Sequence, residues 1–237
     1  MCSLIGINSS GLVNPAAAVG EVARQAGVLY LLDACQSVGQ MPINVEAIGC
    51  DMLSTTGRKY LRGPRGTGLL YVRRSVLERL EPPFVDLHAA EWVARDHLVL
   101  RPDTRRFENW ETNYAGKAGL GVAIDYALTW GLDHIRARIT VLASMLRARL
   151  NALPGITVRD LGAERCGIVS FTVAGHDADE IRQTLARQHI NVTVSRLTST
   201  RLDMEARGLT SVVRASVHYY NSEAEIDRFC TTLATLR

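Results

Sequence analysis

The sequence lacks the features that mark membrane, disulfide-bonded and zinc-binding proteins. No run approaches the roughly 20 apolar residues that span a bilayer, and no basic segment at the N-terminus precedes a long apolar one. The 5 cysteines are odd in number, widely spaced and never arranged as CxxC, which disfavours a disulfide framework and a metal site. We therefore expect a cytoplasmic protein whose cysteines are small buried or neutral residues.

An excess of one charge is also missing. Charged residues make up 22% of the 237 positions and the formal net charge is +3. No strong field therefore points to nucleic acid or a membrane as the main partner. Hydrophobic residues make up 47% of the chain, enough for one large core or two unequal lobes. Small molecules are the expected ligands.

What is present is an alternation of short apolar strands and helices. The predicted strands are 4–7, 28–33, 50–54, 68–72, 156–158, 167–173, 191–194 and 212–217. The predicted helices are 16–26, 45–48, 114–130, 133–153, 178–188 and 223–236. Continuous apolar strands are typical of parallel sheets buried on both faces, so the order predicts an α/β fold.

The pattern also predicts two domains and one long loop. The first domain covers residues 1–130, and a smaller α+β domain covers residues 131–237. Between residues 84 and 112 the periodicity is lost, which predicts an irregular connection. Connections of that length are often functional.

Two residues in the first domain suggest chemistry. Asp33 ends a predicted strand, and Lys59 follows the next strand within STTGRKYLRGPRGTGLLYV, residues 54–72. Ligands of open α/β sheets bind at the carboxyl ends of strands, so both side chains are expected to face one crevice. The alternative is an aspartate that caps a turn and a solvated lysine.

The glycines and hydroxyl groups around Lys59 favour a phosphate site over that alternative. Glycine lets the backbone N–H groups approach an anion, and arginine matches phosphate oxygens. Neither common nucleotide motif fits, however. No glycine stands directly before Lys59 as the P-loop requires, and GPRGTG precedes a strand where the dinucleotide fingerprint requires a helix.

The segment LLDACQSVGQMPINVEAIGCDMLSTTGRKYLRGPRGTGLLYV resembles the cofactor segment of the class V aminotransferase family. Members of that family are pyridoxal-phosphate enzymes of fold type I. The resemblance implies a partial large domain with a mixed, mainly parallel sheet, followed by a smaller α+β C-terminal domain. It implies that Lys59 forms a Schiff base with the cofactor and later shuttles the substrate's α-proton. Asp33 would keep the pyridine nitrogen protonated.

The same resemblance implies further cofactor contacts. Gln36 would lie against the phenolic oxygen of the ring. Thr56 and Arg58 would contact the phosphate, with Arg58 standing where many relatives have histidine. Asn8, in INSSGLVNP, matches a family asparagine near the cofactor and substrate.

Two later segments extend the resemblance. RRFENWETNYAG is similar to a family segment in which a threonine reaches the phosphate of the neighbouring subunit, which implies a homodimer with Thr112 in that role. RASVHYYNSEAEIDRF resembles the C-terminal signature in which arginine binds the substrate α-carboxylate, which implies that role for Arg214. A surface ion pair is the alternative for Arg214, and His218, Tyr219 and Asn221 are equally compatible with packing.

The lack of a cysteine in one segment narrows the choice of branch within the family. Cysteine desulfurases carry a catalytic cysteine shortly before the substrate arginine, and residues 194–213 hold none. Desulfuration through an enzyme persulfide is therefore disfavoured. The remaining branch resembles isopenicillin N epimerase and related transferases or lyases, which act on an amino acid. Arg196 and Arg201 either add specificity for a carboxylated substrate or are solvated.

Two other readings of the whole chain stay open. The resemblance covers only the latter part of the family, from the middle of the large domain onward, so a truncated, non-catalytic remnant that serves as a fold or interaction module is the main alternative. Nucleic-acid binding through the basic run at residues 58–65 is disfavoured, because no aromatic platform accompanies it.

Overall fold

The computed structural model describes residues 2–4 and 10–236. The strands are β1 Cys2–Leu4, β2 Leu31–Asp33, β3 Met52–Thr56, β4 Gly68–Val72, β5 Ala90–Ala94, β6 His97–Leu100, β7 Ile156–Val158, β8 Ile168–Val173, β9 Thr193–Arg196 and β10 Ser211–Ser216. The α-helices are α1 Ala16–Gln25, α2 Val45–Ile48, α3 Tyr114–Trp130, α4 Leu132–Ala152, α5 Ala178–Arg187, α6 Arg201–Ala206 and α7 Glu223–Ala234. None of these helices is long and apolar enough to cross a membrane.

The chain forms two compact units. The first contains β1 with residues 15–38 and 43–127, and the second contains residues 10–14, 39–42 and 128–236. The division at residue 130 into two functional domains stays a prediction.

The first unit is built on a mixed sheet in the order β1-β2-β3-β4. The first three strands are parallel and β4 is antiparallel to β3. Tyr30, directly before β2, is fully buried, and its backbone N–H donates to the Asp51 carboxylate at 2.8 Å. The mixed, mainly parallel sheet predicted from the sequence is confirmed.

The second unit is an antiparallel sheet in the order β7-β8-β10-β9 with helices α4, α5 and α7 in its core. Phe171 on β8 and Phe229 on α7 meet edge to face with ring centroids 6.0 Å apart. Capping boxes begin α5 at Asp177 and α7 at Ser222, which satisfies backbone N–H groups that a helix start leaves unpaired.

Several boundaries differ from the predictions. The loop predicted for residues 84–112 contains the hairpin β5–β6 and a short 3-10 helix at Thr104–Phe107. Strand β2 begins at Leu31 and not at residue 28, because Val28 N–H still bonds the Ala23 carbonyl at the end of α1. The helix α6 was not predicted.

Candidate functional site

Asp33 stands at the carboxyl end of the parallel strand β2. In the sheet register it lies opposite Ser54 of β3. Its Oδ1 accepts a hydrogen bond from the backbone N–H of Cys35 at 2.9 Å, which fixes the carboxylate as the chain turns out of the sheet. A carboxylate has about four lone-pair positions, so this bond leaves capacity for a ligand donor.

The turn after β3 is closed by its own backbone. Gly57 N–H donates to the Thr67 carbonyl and Gly63 N–H donates to the Gly57 carbonyl, both at 2.8 Å. The Thr56 hydroxyl lies 3.5 Å from the same Thr67 carbonyl, at the outer limit for a hydrogen bond. That hydroxyl can therefore rotate toward another acceptor. Lys59, half-buried, lies inside this closed turn.

Helix α3 packs directly against the turn at its glycines. A Cβ atom added to Gly57 would lie 2.7 Å from Leu120 Cδ1, and one added to Gly63 would lie 2.8 Å from the same atom. These distances are shorter than real carbon contacts, so a side chain at either position would force either the Leu120 side chain or the turn to shift. The glycines thus permit close packing as well as backbone freedom.

Asp33 and Lys59 both act on the thiol of Cys35. Burial is the main cause that raises the pKa of this thiol above its usual 9.0, and the Asp33 carboxylate raises it further as hydrogen-bond acceptor and as negative charge. The positive charge of Lys59 and a hydrogen bond from the backbone of Thr56 act in the opposite direction. Three predicted site residues are therefore neighbours of one side chain, and that side chain is a neutral thiol.

The other predicted residues differ in exposure and in the unit to which they belong. Gln36 is buried with 5% of its surface exposed, whereas Arg58 is exposed. Thr112 is half-buried just before α3, and its carbonyl accepts the Tyr114 N–H at 3.0 Å. Arg214 belongs to the second unit, and Asn8 lies outside the described residues.

Arg214 occupies the middle of β10. It pairs with Ser170 on β8 and Thr193 on β9, and it alternates with Val213 and Ala215, which face the helical core. Because strand side chains alternate between faces, Arg214 projects from the face opposite α4, α5 and α7. Arg214 is half-buried on that face, so it is not a fully solvated surface residue.

The turn that follows β10 is tightly organised. The His218 N–H donates to Asn221 Oδ1 at 2.8 Å, and the His218 Nδ1 accepts the Tyr219 N–H at 3.0 Å. The His218 ring stacks on Tyr220 with centroids 4.4 Å apart. These contacts support packing roles for His218 and Asn221, which the sequence left undecided.

Sequence reasoning missed Cys35 as a member of the site, as well as the contacts of α3 with the lysine turn. One signal in the sequence could have identified Cys35. A residue two places after a strand-ending aspartate often donates its backbone N–H to that carboxylate. The contact of Leu120 with the glycine turn joins distant parts of the chain and carries no local signal.

Comparison with known proteins identifies the family. The family model described as aminotransferase class-V matches residues 4–229. The chain therefore belongs to the class V aminotransferase family. This confirms the family and the fold type I architecture predicted from the sequence.

Curated relatives carry the name of one branch. A probable cysteine desulfurase of Xylella fastidiosa strain Temecula1 is 33% identical over 230 residues, which cover 97% of this chain and 55% of the relative. A probable cysteine desulfurase of Methanothermobacter thermautotrophicus is 32% identical over 235 residues, covering 95% of this chain and 57% of the relative. The chain thus spans about half the length of these relatives.

Solved structures agree in fold. The apo cysteine desulfurase from Thermococcus onnurineus NA1 matches with a TM-score of 0.93 and 29% identity, covering 99% of this chain and 59% of that chain. The cystine C-S lyase C-DES in complex with its product cysteine persulfide matches with a TM-score of 0.86 and 26% identity, covering 99% and 60%. The sequence interpretation favoured the epimerase-like branch, whereas these relatives are named desulfurases or a C-S lyase.

Proposed function

We propose that this chain is a pyridoxal-phosphate-dependent enzyme that acts on an amino acid, with Lys59 as its catalytic residue. The observation that supports this most directly is that the charges of both Asp33 and Lys59 act on the Cys35 thiol. Asp33 ends β2 and Lys59 follows β3, its parallel neighbour, so an acid and an amine follow adjacent strands at the same edge of the sheet. A relative supports the cofactor, since a variant of C-DES carries glycine covalently linked to pyridoxal phosphate.

The residues of the first unit fit this cofactor chemically. Lys59 offers the amine that an aldehyde requires. The Asp33 carboxylate retains lone pairs for a pyridinium N–H. The weakly bonded hydroxyl of Thr56 and the exposed guanidinium of Arg58 are donors suited to a phosphate.

Each of these residues then has a definite task. Asp33 holds a proton on the pyridine nitrogen, and the backbone bond from Cys35 keeps its carboxylate oriented. When bound, pyridoxal phosphate supplies an aldehyde for amines and a ring that accepts the electron pair released at the substrate's α-carbon. The amine of Lys59 removes and returns the α-proton. Gln36 is buried and lies three residues after Asp33 in the sequence. Its side chain orients the cofactor ring by contacting the ring's phenolic oxygen.

Two further residues complete the proposal. Arg214 binds the substrate's α-carboxylate through the paired N–H groups of its guanidinium. Thr112 reaches the phosphate of the neighbouring subunit in a homodimer. Sedimentation of the parent chain and of Thr112→Val, with and without the cofactor, tests the dimer and the contribution of this hydroxyl.

Lyase chemistry is the favoured reaction type, ahead of transamination and epimerisation. The structural match to a cystine C-S lyase supports it. The stretch at residues 194–213 offers no cysteine to receive sulfur from a substrate, which disfavours desulfuration through an enzyme persulfide. A carbon–sulfur bond could then break with the sulfur leaving on the product.

The chain is well suited to a direct test because Lys59 and Lys117 are its only lysines. Pyridoxal phosphate is added, the visible absorption is recorded, borohydride is used to reduce the adduct, and mass spectrometry locates the tag. We expect a visible band and a tag on Lys59. Lys117 lies on α3 and pairs with Glu108 at 3.9 Å; it is the matched control and should stay unmodified.

Two results would contradict the proposal. Absence of both the band and the tag would favour the non-catalytic remnant, and equal tagging of both lysines would show unspecific chemistry. If Lys59 alone is tagged, amino acids including cysteine and cystine are added one at a time. Pyruvate and ammonia would identify elimination, a new keto acid transamination, and loss of optical activity epimerisation.

A further inference from the structure

Arg62 adopts a backbone conformation that a long side chain rarely occupies. Its φ angle is 61°, in the left-handed region, where a Cβ atom approaches the following carbonyl. Within residues 2–4 and 10–236, the other non-glycine residue with a positive φ is His189. Glycine or asparagine would adopt this conformation with less strain. Other interactions of this residue must therefore compensate for the strain.

The left-handed residue closes the turn around Lys59. The Arg62 N–H donates to the Lys59 carbonyl at 2.9 Å, and the next N–H, of Gly63, donates to the Gly57 carbonyl at 2.8 Å. The backbone on both sides of the lysine is therefore tied to the conformation at Arg62. A change of φ at this residue would move the Lys59 carbonyl and, with it, the direction of the lysine side chain.

The side chain of Arg62 reaches helix α3. Its guanidinium carbon lies 5.3 Å from the centroid of the Tyr126 ring, within the range of a cation–π contact. The same helix contacts the turn from another side, where Leu120 meets Gly57 and Gly63. Helix α3 thus holds the turn at two points, one apolar and one cationic.

We propose that Arg62, anchored on the ring of Tyr126, is a positioning residue that fixes the direction of Lys59. The proposal rests on the proposed function for the meaning of that direction, because the lysine must meet an aldehyde in one orientation. It explains why an arginine occupies a position that glycine would fill with less strain. The guanidinium supplies an anchor that glycine lacks.

Four variants separate the anchor from other effects. Tyr126→Phe keeps the ring face, whereas Tyr126→Leu removes it. Arg62→Lys keeps a cation, whereas Arg62→Gly removes the side chain and relieves the backbone. Because both native side chains are exposed, we expect all four variants to fold, and circular dichroism checks this for each.

The first readout needs no cofactor. Trace acetic anhydride acylates Lys59 and Lys117 in competition, and mass spectrometry gives the ratio of the two labelling rates at several pH values. We expect Tyr126→Leu and Arg62→Gly to change this ratio about two- to fivefold, the size of an exposed cation–π contact. Tyr126→Phe and Arg62→Lys should stay close to the parent.

The second readout is the pH midpoint of the visible band formed with pyridoxal phosphate, which should shift in the same two variants. The proposal is overturned if Tyr126→Leu matches Tyr126→Phe, and Arg62→Gly matches Arg62→Lys, in the labelling ratio. If the parent forms no band, the proposed function fails, while the labelling ratio still decides whether the anchor positions Lys59. The two failures are thus distinguishable.

Discussion

The buried ion pair of the second unit provides a quantitative test of the fold that carries Arg214. Asp160, after β7, has a fully buried side chain, and its Oδ2 accepts the Nε of Arg147 at 2.6 Å. Its Oδ1 accepts both the N–H and the hydroxyl of Ser170 at 2.7 Å. The guanidinium also donates to the carbonyls of Cys166 and Ile168. The carboxylate therefore joins α4 to β8.

Replacing Asp160 with alanine should lower the free energy of unfolding by about 3–5 kcal/mol, the usual cost of breaking a buried pair from one side. Most of this cost arises because the Arg147 charge stays buried without its counter-charge. The unpaired N–H of Ser170 contributes about 1–3 kcal/mol to that total. The two carbonyl acceptors that Arg147 keeps place the expected value in the lower half of the range.

Urea unfolding followed by circular dichroism measures the change, with linear extrapolation to water. Hydrogen exchange of the peptide that covers residues 160–170 shows whether the loss is local to the second unit. The exposed pair Arg201–Glu205, whose side chains are 58% and 50% exposed, is the matched control. Glu205→Ala should change the stability too little to resolve, because exposed ion pairs contribute little.

The reasoning is refuted if Asp160→Ala costs less than about 1 kcal/mol, as an exposed pair would. Unchanged protection of residues 160–170 would refute it too, since the carboxylate would then not hold β8. An equal loss in Glu205→Ala would mean that burial does not decide the cost.

Three further predictions concern the site. Asp33→Asn should lower the pKa of the Cys35 thiol, because it removes a negative charge and leaves a weaker, neutral acceptor. Iodoacetamide should then modify Cys35 faster at pH 8, and an unchanged rate would show that the Asp33 charge does not act on this thiol. Gly68→Ala should weaken the sheet, because the new Cβ atom would lie 2.3 Å from the carbonyl oxygen of Thr55. An unfolding temperature equal to that of the parent chain would contradict this. Arg214→Lys should raise about tenfold the amino-acid concentration that is needed to shift the visible band of the cofactor. The band recorded without an amino acid should stay unchanged. An unchanged concentration would argue against carboxylate binding by Arg214.

Elements with strong local signals were predicted well from the sequence. Strand β4 lies at Gly68–Val72 as predicted, because a glycine-rich turn precedes a continuous apolar run. Helix α5 begins at Ala178 as predicted, with a capping box supplied by Asp177 and Glu180. These signals are local, so a single chain carries them.

Elements set by pairing were predicted less well. The hairpin β5–β6 turns at Arg95 and Asp96, which lack the glycine of common hairpin turns, so the sequence predicted a loop there. Strand β9 lies about two residues beyond its predicted place, because its register is set by β10. Such features depend on the partner strand and have little local signature.

The residues of the candidate site also differ in whether the sequence carries a local signal for them. Asp33 and Lys59 were recognisable because each follows a buried strand in a segment that resembles a known family. The Tyr126 anchor was not, because its contact with Arg62 links a turn to a helix far along the chain. The role of Arg62 depends on a φ angle, and no residue pattern encodes an arginine in that conformation.

The cysteines of the chain bear on the reaction type. A thiol must lose its proton before it can attack sulfur. Burial is the first cause that raises the pKa of the Cys35, Cys50, Cys166 and Cys230 thiols above the usual 9.0, which disfavours their thiolate forms. Residues 194–213 contain no cysteine at all. Both observations are consistent with the proposed lyase reaction, in which sulfur would leave with the product.

This argument predicts the fate of sulfur. After incubation with pyridoxal phosphate and cystine or cysteine, intact-mass measurement should detect no added sulfur on the protein, while persulfide or sulfide accumulates in solution with pyruvate. The chain treated with free persulfide but no cofactor is the control for unspecific transfer. A persulfide formed on Cys35 during turnover, and absent from that control, would refute the argument, because the thiol beside Asp33 and Lys59 would then be a sulfur acceptor despite its raised pKa.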